Sequence, residues 1–238
     1  YSRIPRFLRK GAAALARRMP EFKGKHFIVR GAMEPYQRFA RANYVFTRDE
    51  RWTYLKDRIP AKDPVDYAKP YFDNVKELDL PTQLQYVDIH TWMLYDILQK
   101  ADRMSMANSL ELRVPFLDKK MLELAVQIPV QYRIKGNTTK VALRRAAIKQ
   151  IPERTANKKK LGFPVPTRVW LREQKYYDIV KAAFTGETAK QFFHTDALVK
   201  LLDEHFQGKC DNNRKIWTIY VFLIWYDIYF SDPDKVKL

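Results

Sequence analysis

The segment Lys100-Ala-Asp-Arg-Met-Ser-Met-Ala-Asn-Ser-Leu-Glu-Leu-Arg-Val-Pro-Phe-Leu-Asp118 decides how this chain is interpreted. It interleaves charged side chains with alanine and methionine and ends in a rigid Val-Pro-Phe-Leu-Asp corner. Small residues let backbones approach closely, and a charge buried without a partner is costly, so these charges must pair. The pattern predicts a buried ion-pair network that holds the wall of a site. Its members are Asp102, Arg103, Glu111 and Arg113, and together with Lys100 they are expected to support a phosphate or substrate site.

The flanking sequence predicts helices. Apolar residues recur with helical spacing from Pro81 to about Met106, which indicates one long helix. Asp118 is placed to cap a helix over 119–127. Strand alternation is hard to find anywhere, so we expect a mainly α chain.

Other helix limits follow from turn and breaker residues. Three prolines between residues 59 and 80 predict a loop with short helical turns. Thr138 or Thr139 is expected to cap a helix that begins at Val141, and Thr167 to cap another that runs through Phe184. The segment 154–166 has no periodicity and predicts a loop. Helices are also expected over Asp196–Gln207 and from Asn213 onwards.

Composition limits the protein class. Of the 238 residues, 46% are hydrophobic, which is enough for a real core. The single cysteine, Cys210, excludes an internal disulfide framework and favours a reducing, cytoplasmic compartment. The most apolar run, 216–230, is shorter than the ~20 residues of a membrane span and predicts a buried terminal helix. The four histidines show no metal-ligand spacing, so no metal ligand is assigned.

A net charge of +17 suggests an anionic partner. One interpretation is nucleic acid, because basic surfaces bind phosphates through counterion release. The second is a small polyanion such as ATP or pyrophosphate, and the third is a fragment whose acidic complement lies elsewhere. The basic residues are scattered and the one dense cluster is Lys158–Lys160, so the second and third interpretations are favoured together.

Two motifs carry a resemblance to a known family. The segment 100–118 resembles the signature in the synthetase domain of glutamine-hydrolysing asparagine synthetases. Downstream, Lys158-Lys-Lys-Leu-Gly-Phe-Pro-Val-Pro166 is similar to that family's Lys-x-Gly-Phe loop. The resemblance is good over 82–175, weaker in the final helices and slight over the first 80 residues.

The resemblance implies a fold, an activity and partners. The fold would be the helical C-terminal portion of an α/β adenine-nucleotide α-hydrolase-like (PP-loop ATPase) domain, whose parallel sheet lies largely upstream. The whole enzyme would convert aspartate to asparagine through β-aspartyl-AMP, with ATP, Mg²⁺ and glutamine-derived ammonia. The family's Ser-Gly-Gly-x-Asp-Ser phosphate loop is missing, since no two of the seven glycines are adjacent. The partners expected are therefore the upstream nucleotide-binding half and an N-terminal glutaminase domain, with a homodimer possible and no membrane.

Lys160 is the first catalytic candidate. It stands beside Gly162, with Lys158 and Lys159 adding positive potential, and a mobile ammonium can stabilise departing phosphate charge. The resemblance implies the same role for this loop lysine. The alternative for such a run of lysines is a solvated basic loop.

Asp96 is the second catalytic candidate, because a carboxylate in an apolar helical stretch must be paired or must face a polar cleft. Its plain alternative is an ion pair with Lys100, four residues on. The resemblance implies an acidic residue near this point, for binding or proton transfer during amidation. Lys140 and Arg144 could face phosphate from the start of their helix, but a solvated face is the favoured interpretation.

The sequence predicts two parts, a basic and aromatic-rich helical segment over 1–80 and the helical C-terminal part of the synthetase domain over 81–238, with its lysine loop at 154–166. Two alternatives remain for the function. One is another amide-forming enzyme of the same superfamily, of the β-lactam synthetase or peptide cyclase type. The other is a basic, helical nucleic-acid-binding protein, which is less favoured because no binding module is recognised.

Overall fold

The computed structural model of this chain describes residues 4–20, 22–41, 44–47, 49–58, 60–159, 162 and 165–231. It is mainly helical, as predicted. The α helices are α1 (Arg6–Arg18), α2 (Lys25–Gly31), α3 (Pro35–Ala40), α4 (Arg51–Tyr54), α5 (Pro64–Asn74), α6 (Leu80–Asp88), α7 (Gln99–Met106), α8 (Lys119–Gln127), α9 (Val130–Arg133), α10 (Val141–Ala147), α11 (Glu153–Ala156), α12 (Thr167–Trp170), α13 (Gln174–Thr185), α14 (Glu187–Phe192), α15 (Thr195–Phe206) and α16 (Asn213–Tyr226).

Three other helical segments and one hairpin complete the described secondary structure. The π-helical segments are Ile89–Leu98 and Asp227–Ser231, and a 3-10 turn spans Pro115–Leu117. The strands β1 (Ile134–Lys135) and β2 (Thr138–Thr139) pair antiparallel.

The chain divides into two compact units. Unit 1 comprises residues 1–42 and 62–161, and unit 2 comprises 43–61 and 162–238. These units do not follow the predicted boundary at residue 80, which concerns parts of a family domain and stays a prediction.

The long helix predicted after Pro81 is present as α6, the first π-helical segment and α7 in succession. Its π-helical middle was not predicted. At its start, His90 Nδ1 donates to the Tyr86 carbonyl at 2.8 Å, and Thr91 Oγ1 donates to the Val87 carbonyl at 2.6 Å. Both bonds run back to the carbonyl four residues earlier, a side-chain pattern that slightly destabilises and often bends an α-helix.

The prediction of a loop over 59–80 is wrong, because the helix α5 occupies most of the middle of that segment. Pro64 is the first helical residue, where a missing N–H costs nothing, and the Asp63 carboxylate accepts from the amide of Val65 at 3.0 Å. Pro70 lies inside the helix and removes one backbone hydrogen bond. Burial of Phe72, which is 5% exposed, offsets that loss by packing α5 against α6.

Two predicted caps are also wrong. Thr138 and Thr139 form β2, because the chain reverses at Gly136, whose φ is +55°. Thr167 does not cap its helix, since its hydroxyl donates to Asn213 Oδ1 at 2.7 Å. The predicted helix from Thr167 through Phe184 is two helices, α12 and α13, with a turn between them.

Unit 2 contains a large buried apolar cluster, and α15 and α16 supply most of it, as their predicted apolar faces require. The extended residues that follow α4 pair with those that follow α14. The amide of Lys56 donates to the Phe192 carbonyl at 3.0 Å, and the amide of His194 donates to the Tyr54 carbonyl at 2.8 Å. The buried members are Leu171, Val180, Phe184, Ala189, Phe193, Leu198, Leu201, Leu202, Ile216, Ile219 and Leu223.

His205 is fully buried and connects three segments of unit 2. Its Nε2 donates to the Arg168 carbonyl at 3.0 Å, and its Nδ1 accepts from the Asn212 amide at 3.2 Å. This pattern assigns the neutral ring with the proton on Nε2. The imidazole thereby joins α12 and α15 to the turn that precedes α16.

The second half of unit 1 contains far fewer buried apolar residues than unit 2. Between residues 88 and 159, which the structure describes throughout, only Val141 and Ala156 are buried apolar residues. Many large apolar side chains from the π-helical segment through α8 are exposed instead. They are Ile89, Trp92, Leu94, Tyr95, Ile97, Met104, Met106, Leu110, Leu112, Val114, Phe116, Leu117, Met121, Leu122, Leu124 and Val126, here called the 89–126 face.

In the part of the chain that the structure describes, every helix is too short or too polar to cross a bilayer.

Candidate functional site

Lys160, the first catalytic candidate, lies outside the described residues, as do Leu161, Phe163 and Pro164. The structure describes the chain on both sides of it. Lys158, Lys159 and Gly162 are exposed. The first residues of the predicted 154–166 loop are helical, since α11 extends to Ala156, which is buried.

Arg144 binds the backbone on the approach to Lys160. Its Nη1 donates to the Ala156 carbonyl at 2.7 Å and to the Lys158 carbonyl at 3.1 Å, and its Nε donates to the Thr139 carbonyl at 3.0 Å. The predicted solvated face is therefore wrong for Arg144. Sequence reasoning missed this role because bonds to backbone carbonyls leave no pattern in the side chains that they join.

The second candidate, Asp96, accepts two hydrogen bonds. One comes from the Trp92 indole N–H at 2.7 Å and the other from Lys100 Nζ at 3.1 Å, so the predicted ion pair is present. These bonds, that of Trp92 foremost, hold the pKa of the Asp96 carboxyl below its ordinary value. The carboxylate is ionised at neutral pH and is a weak base. It is thus better suited to binding or orienting a cation than to removing a proton.

Trp92 was not predicted as a member of this group. The signal was its spacing from Asp96, because residues four apart lie on the same side of a helix. The sequence analysis used that spacing for Asp96 and Lys100 alone.

The buried ion-pair network predicted for the 100–118 segment is wrong. Asp102 and Arg103 are exposed, and Glu111 pairs with Arg113 at 2.5 Å with side chains that are 72% and 81% exposed. An ion pair in water contributes little, because solvent screens it and ordering two side chains costs entropy. No described residue covers these charges, which is why the prediction of burial fails. Their roles at the wall of a site stay predictions.

A cavity of about 750 Å³ lies in unit 1, between α6 with its π-helical extension and the end of α8. Its lining is mostly apolar and includes Ile89, Met93 and Val126. The Asp88 carboxyl also lines it, and burial raises the pKa of that group. Asp96 and Lys100 are not among the lining residues, so the cavity is separate from the Trp92–Asp96–Lys100 group.

No group of three histidine, cysteine, aspartate or glutamate side chains in the described ranges is placed to hold a metal ion. His90 is a packed histidine. Its ring lies 4.1 Å from the Tyr86 ring between centroids. Cys210 is an exposed thiol.

Comparison with known proteins gives one family. The model of the asparagine synthase family matches residues 7–227. The chain is 42% identical to the Bacillus subtilis (strain 168) protein named asparagine synthetase [glutamine-hydrolyzing] 1, over 96% of this chain and 36% of that protein. It is 34% identical to a putative asparagine synthetase [glutamine-hydrolyzing] of Mycobacterium bovis, over 96% of this chain and 35% of that protein.

These matches include the first 80 residues, where the sequence motifs gave almost no resemblance. The chain spans about a third of the length of the curated relatives it matches. No solved structure matches it significantly.

Proposed function

This chain belongs to the asparagine synthase family, and we propose that it is the C-terminal helical part of the synthetase domain of a glutamine-hydrolysing asparagine synthetase. The match over 96% of the chain to a relative of that name carries the proposal. The parallel sheet of the domain would then lie in residues upstream of this chain, together with a glutaminase domain.

The proposed reaction has two steps. ATP activates the side-chain carboxylate of aspartate, giving β-aspartyl-AMP and pyrophosphate. Ammonia released from glutamine then attacks the activated carbonyl, and asparagine and AMP leave. The ammonia attack needs no strong base once the nitrogen is unprotonated, so an ionised carboxylate such as Asp96 would serve by orienting the nucleophile or substrate.

Lys160 is the proposed catalytic lysine. Exposed Lys158 and Lys159 on its approach support this role, because they raise the local positive potential that a polyphosphate requires. An ammonium there stabilises charge on the phosphates as pyrophosphate departs. Mg²⁺ would neutralise the nucleotide phosphates when bound, and we propose that it is held with the nucleotide, mainly by residues outside this chain.

The exposed 89–126 face supports the proposed partner. So many exposed large apolar side chains in one part of the chain favour an interaction surface, because exposing apolar area to water is unfavourable. We propose that the upstream nucleotide-binding half covers it. A homodimer remains a prediction.

The alternatives are not favoured. The relatives reported above are named as asparagine synthetases, and neither is named as a β-lactam synthetase, a peptide cyclase or a nucleic-acid-binding protein. The cytoplasm remains the proposed compartment, because the one cysteine of the chain offers no internal disulfide.

Pyrophosphate release by the full-length protein tests the proposal, with ATP, Mg²⁺ and aspartate, and with and without ammonia. We expect aspartate-dependent release that falls at least about 100-fold in Lys160→Ala, as loss of a group that stabilises transition-state charge predicts. Lys159→Ala is the matched control, because it removes the same charge one residue away. Release that does not depend on aspartate would refute the substrate, and equal activity of the two variants would refute the role of Lys160.

A further inference from the structure

The guanidinium of Arg144 is the best-connected cation near the lysine segment. It donates three hydrogen bonds to the main chain, at Thr139, Ala156 and Lys158, with lengths from 2.7 to 3.1 Å. A planar guanidinium offers donors in a fixed fork, so bonding two carbonyls through one nitrogen and a third through another sets its orientation. Arg144 therefore joins the end of the β1–β2 hairpin to the last residue of α11 and to Lys158 beyond it.

The Ala156 carbonyl belongs to the last residue of α11, where helical carbonyls have no partner in the helix. A positive group at that end satisfies the carbonyl and interacts favourably with the helix dipole. The second carbonyl, that of Lys158, lies two residues further along. The contact thus extends beyond the helix end into the segment that leads to Lys160.

We propose that Arg144 is a positioning residue for Lys160: by holding the backbone at Ala156 and Lys158, it fixes the point from which the segment carrying the lysine starts. This rests on the proposed function, in which Lys160 acts on the phosphates. Each residue of chain spans at most ~3.6 Å, so an anchor two residues away limits where the lysine can act.

The choice of acceptors favours this role over a simple structural one. A carboxylate partner would hold the segment equally well, but it would cancel positive charge beside the lysines. Arg144 instead bonds neutral carbonyls, so the segment is held and its positive potential is retained for an anionic substrate.

The experiment measures pyrophosphate release in the full-length protein carrying Arg144→Ala, with Arg145→Ala as the matched control. Arg145 is exposed, lies on the same helix, and makes no hydrogen bond or ion pair in the described part of the chain. We expect Arg144→Ala to lower kcat by about 100-fold, the scale reported for misplacing a catalytic group by about 1 Å. The KM values for ATP and for aspartate should stay within about threefold of those of Arg145→Ala, because both variants lose one positive charge and neither residue is proposed to bind substrate.

A double variant separates positioning from structure. If Arg144 acts through Lys160, Lys160→Ala with Arg144→Ala is no slower than Lys160→Ala alone, because residues that act as a unit are not additive. A further loss of kcat in the double variant would overturn the inference. Trypsin provides a readout without activity: cleavage after Lys158 and Lys159 should be several-fold faster in Arg144→Ala than in Arg145→Ala.

These experiments distinguish failure of the positioning role from failure of the proposed role of Lys160. If Lys160→Ala is inactive and Arg144→Ala equals Arg145→Ala, the positioning role is wrong and the proposed function stands. If Lys160→Ala keeps full activity, the role proposed for Lys160 is wrong, and the inference with it. Should Arg144→Ala not fold, Arg144→Lys decides: an ammonium lacks the fork, so wild-type kcat and wild-type tryptic resistance in that variant would overturn the inference.

Discussion

Replacing His205 by alanine should destabilise unit 2 more than any surface change, because the ring is fully buried and both of its nitrogens are used. The substitution leaves the Arg168 carbonyl and the Asn212 amide without partners. A buried polar group that loses its partner costs about 1–3 kcal/mol, and the lost ring atoms leave a cavity that costs more. The expected decrease in the free energy of unfolding is therefore about 4 kcal/mol.

Urea unfolding followed by circular dichroism measures this decrease, and an unchanged m value shows that the unfolding reaction is the same. His194→Ala is the matched control, because His194 is exposed. His205→Gln keeps one donor and one acceptor and should fall between the two. If His205→Ala unfolds within about 1 kcal/mol of His194→Ala, the scale of an ordinary surface change, the reasoning is wrong.

Three further predictions follow from the same structure. Asp118→Ala removes a helix cap and should cost about 1 kcal/mol of unfolding free energy, measured by urea; no loss would contradict the cap. The Asp96 carboxyl should titrate by NMR below the ordinary aspartate pKa of about 3.9. The stability that it provides is therefore present above that pH and is lost as the pH falls through the folded pKa. Trp92→Phe should raise the midpoint of this titration, and an unchanged midpoint would contradict the assigned cause. Phe184→Ala should lower the free energy of unfolding by about 3–5 kcal/mol, because Phe184 is fully buried. Phe116 is 67% exposed, so Phe116→Ala should lower it little in the isolated chain and clearly more in the full-length protein. An equal loss in both forms would argue against a covered 89–126 face.

Local signals predicted much of the helical content. Asp118, with an apolar period after it, placed α8 at its observed limits, and the helix predicted over Asp196–Gln207 is α15, within one residue at each end. Such signals act within one turn of a helix and need no knowledge of the rest of the chain. The same local reasoning failed at Pro64 and Pro70, because tertiary burial of α5 outweighs the bond that Pro70 removes.

The candidate site was predicted unevenly for a physical reason. Asp96 and Lys100 lie one helical turn apart, so sequence spacing revealed their contact. Arg144 bonds backbone carbonyls. Every residue carries the same carbonyl, whatever its side chain, so no spacing of residue types could reveal these contacts. The expected burial of Glu111 and Arg113 failed because it depends on what covers them, which the chain itself does not supply among its described residues.

The π-helical segment Ile89–Leu98 has a consequence for how this helix tolerates change in length. Removing one residue from an ordinary α-helix turns everything after it by about 100° and draws it back by about 1.5 Å. A segment that already holds i→i+5 pairs can lose a residue by reverting to i→i+4 pairs, so both ends can keep their orientation. Single-residue gaps in evolution or in protein engineering should therefore be accepted between Ile89 and Leu98, and rejected within α6, where the same deletion would carry Val87 away from Phe72.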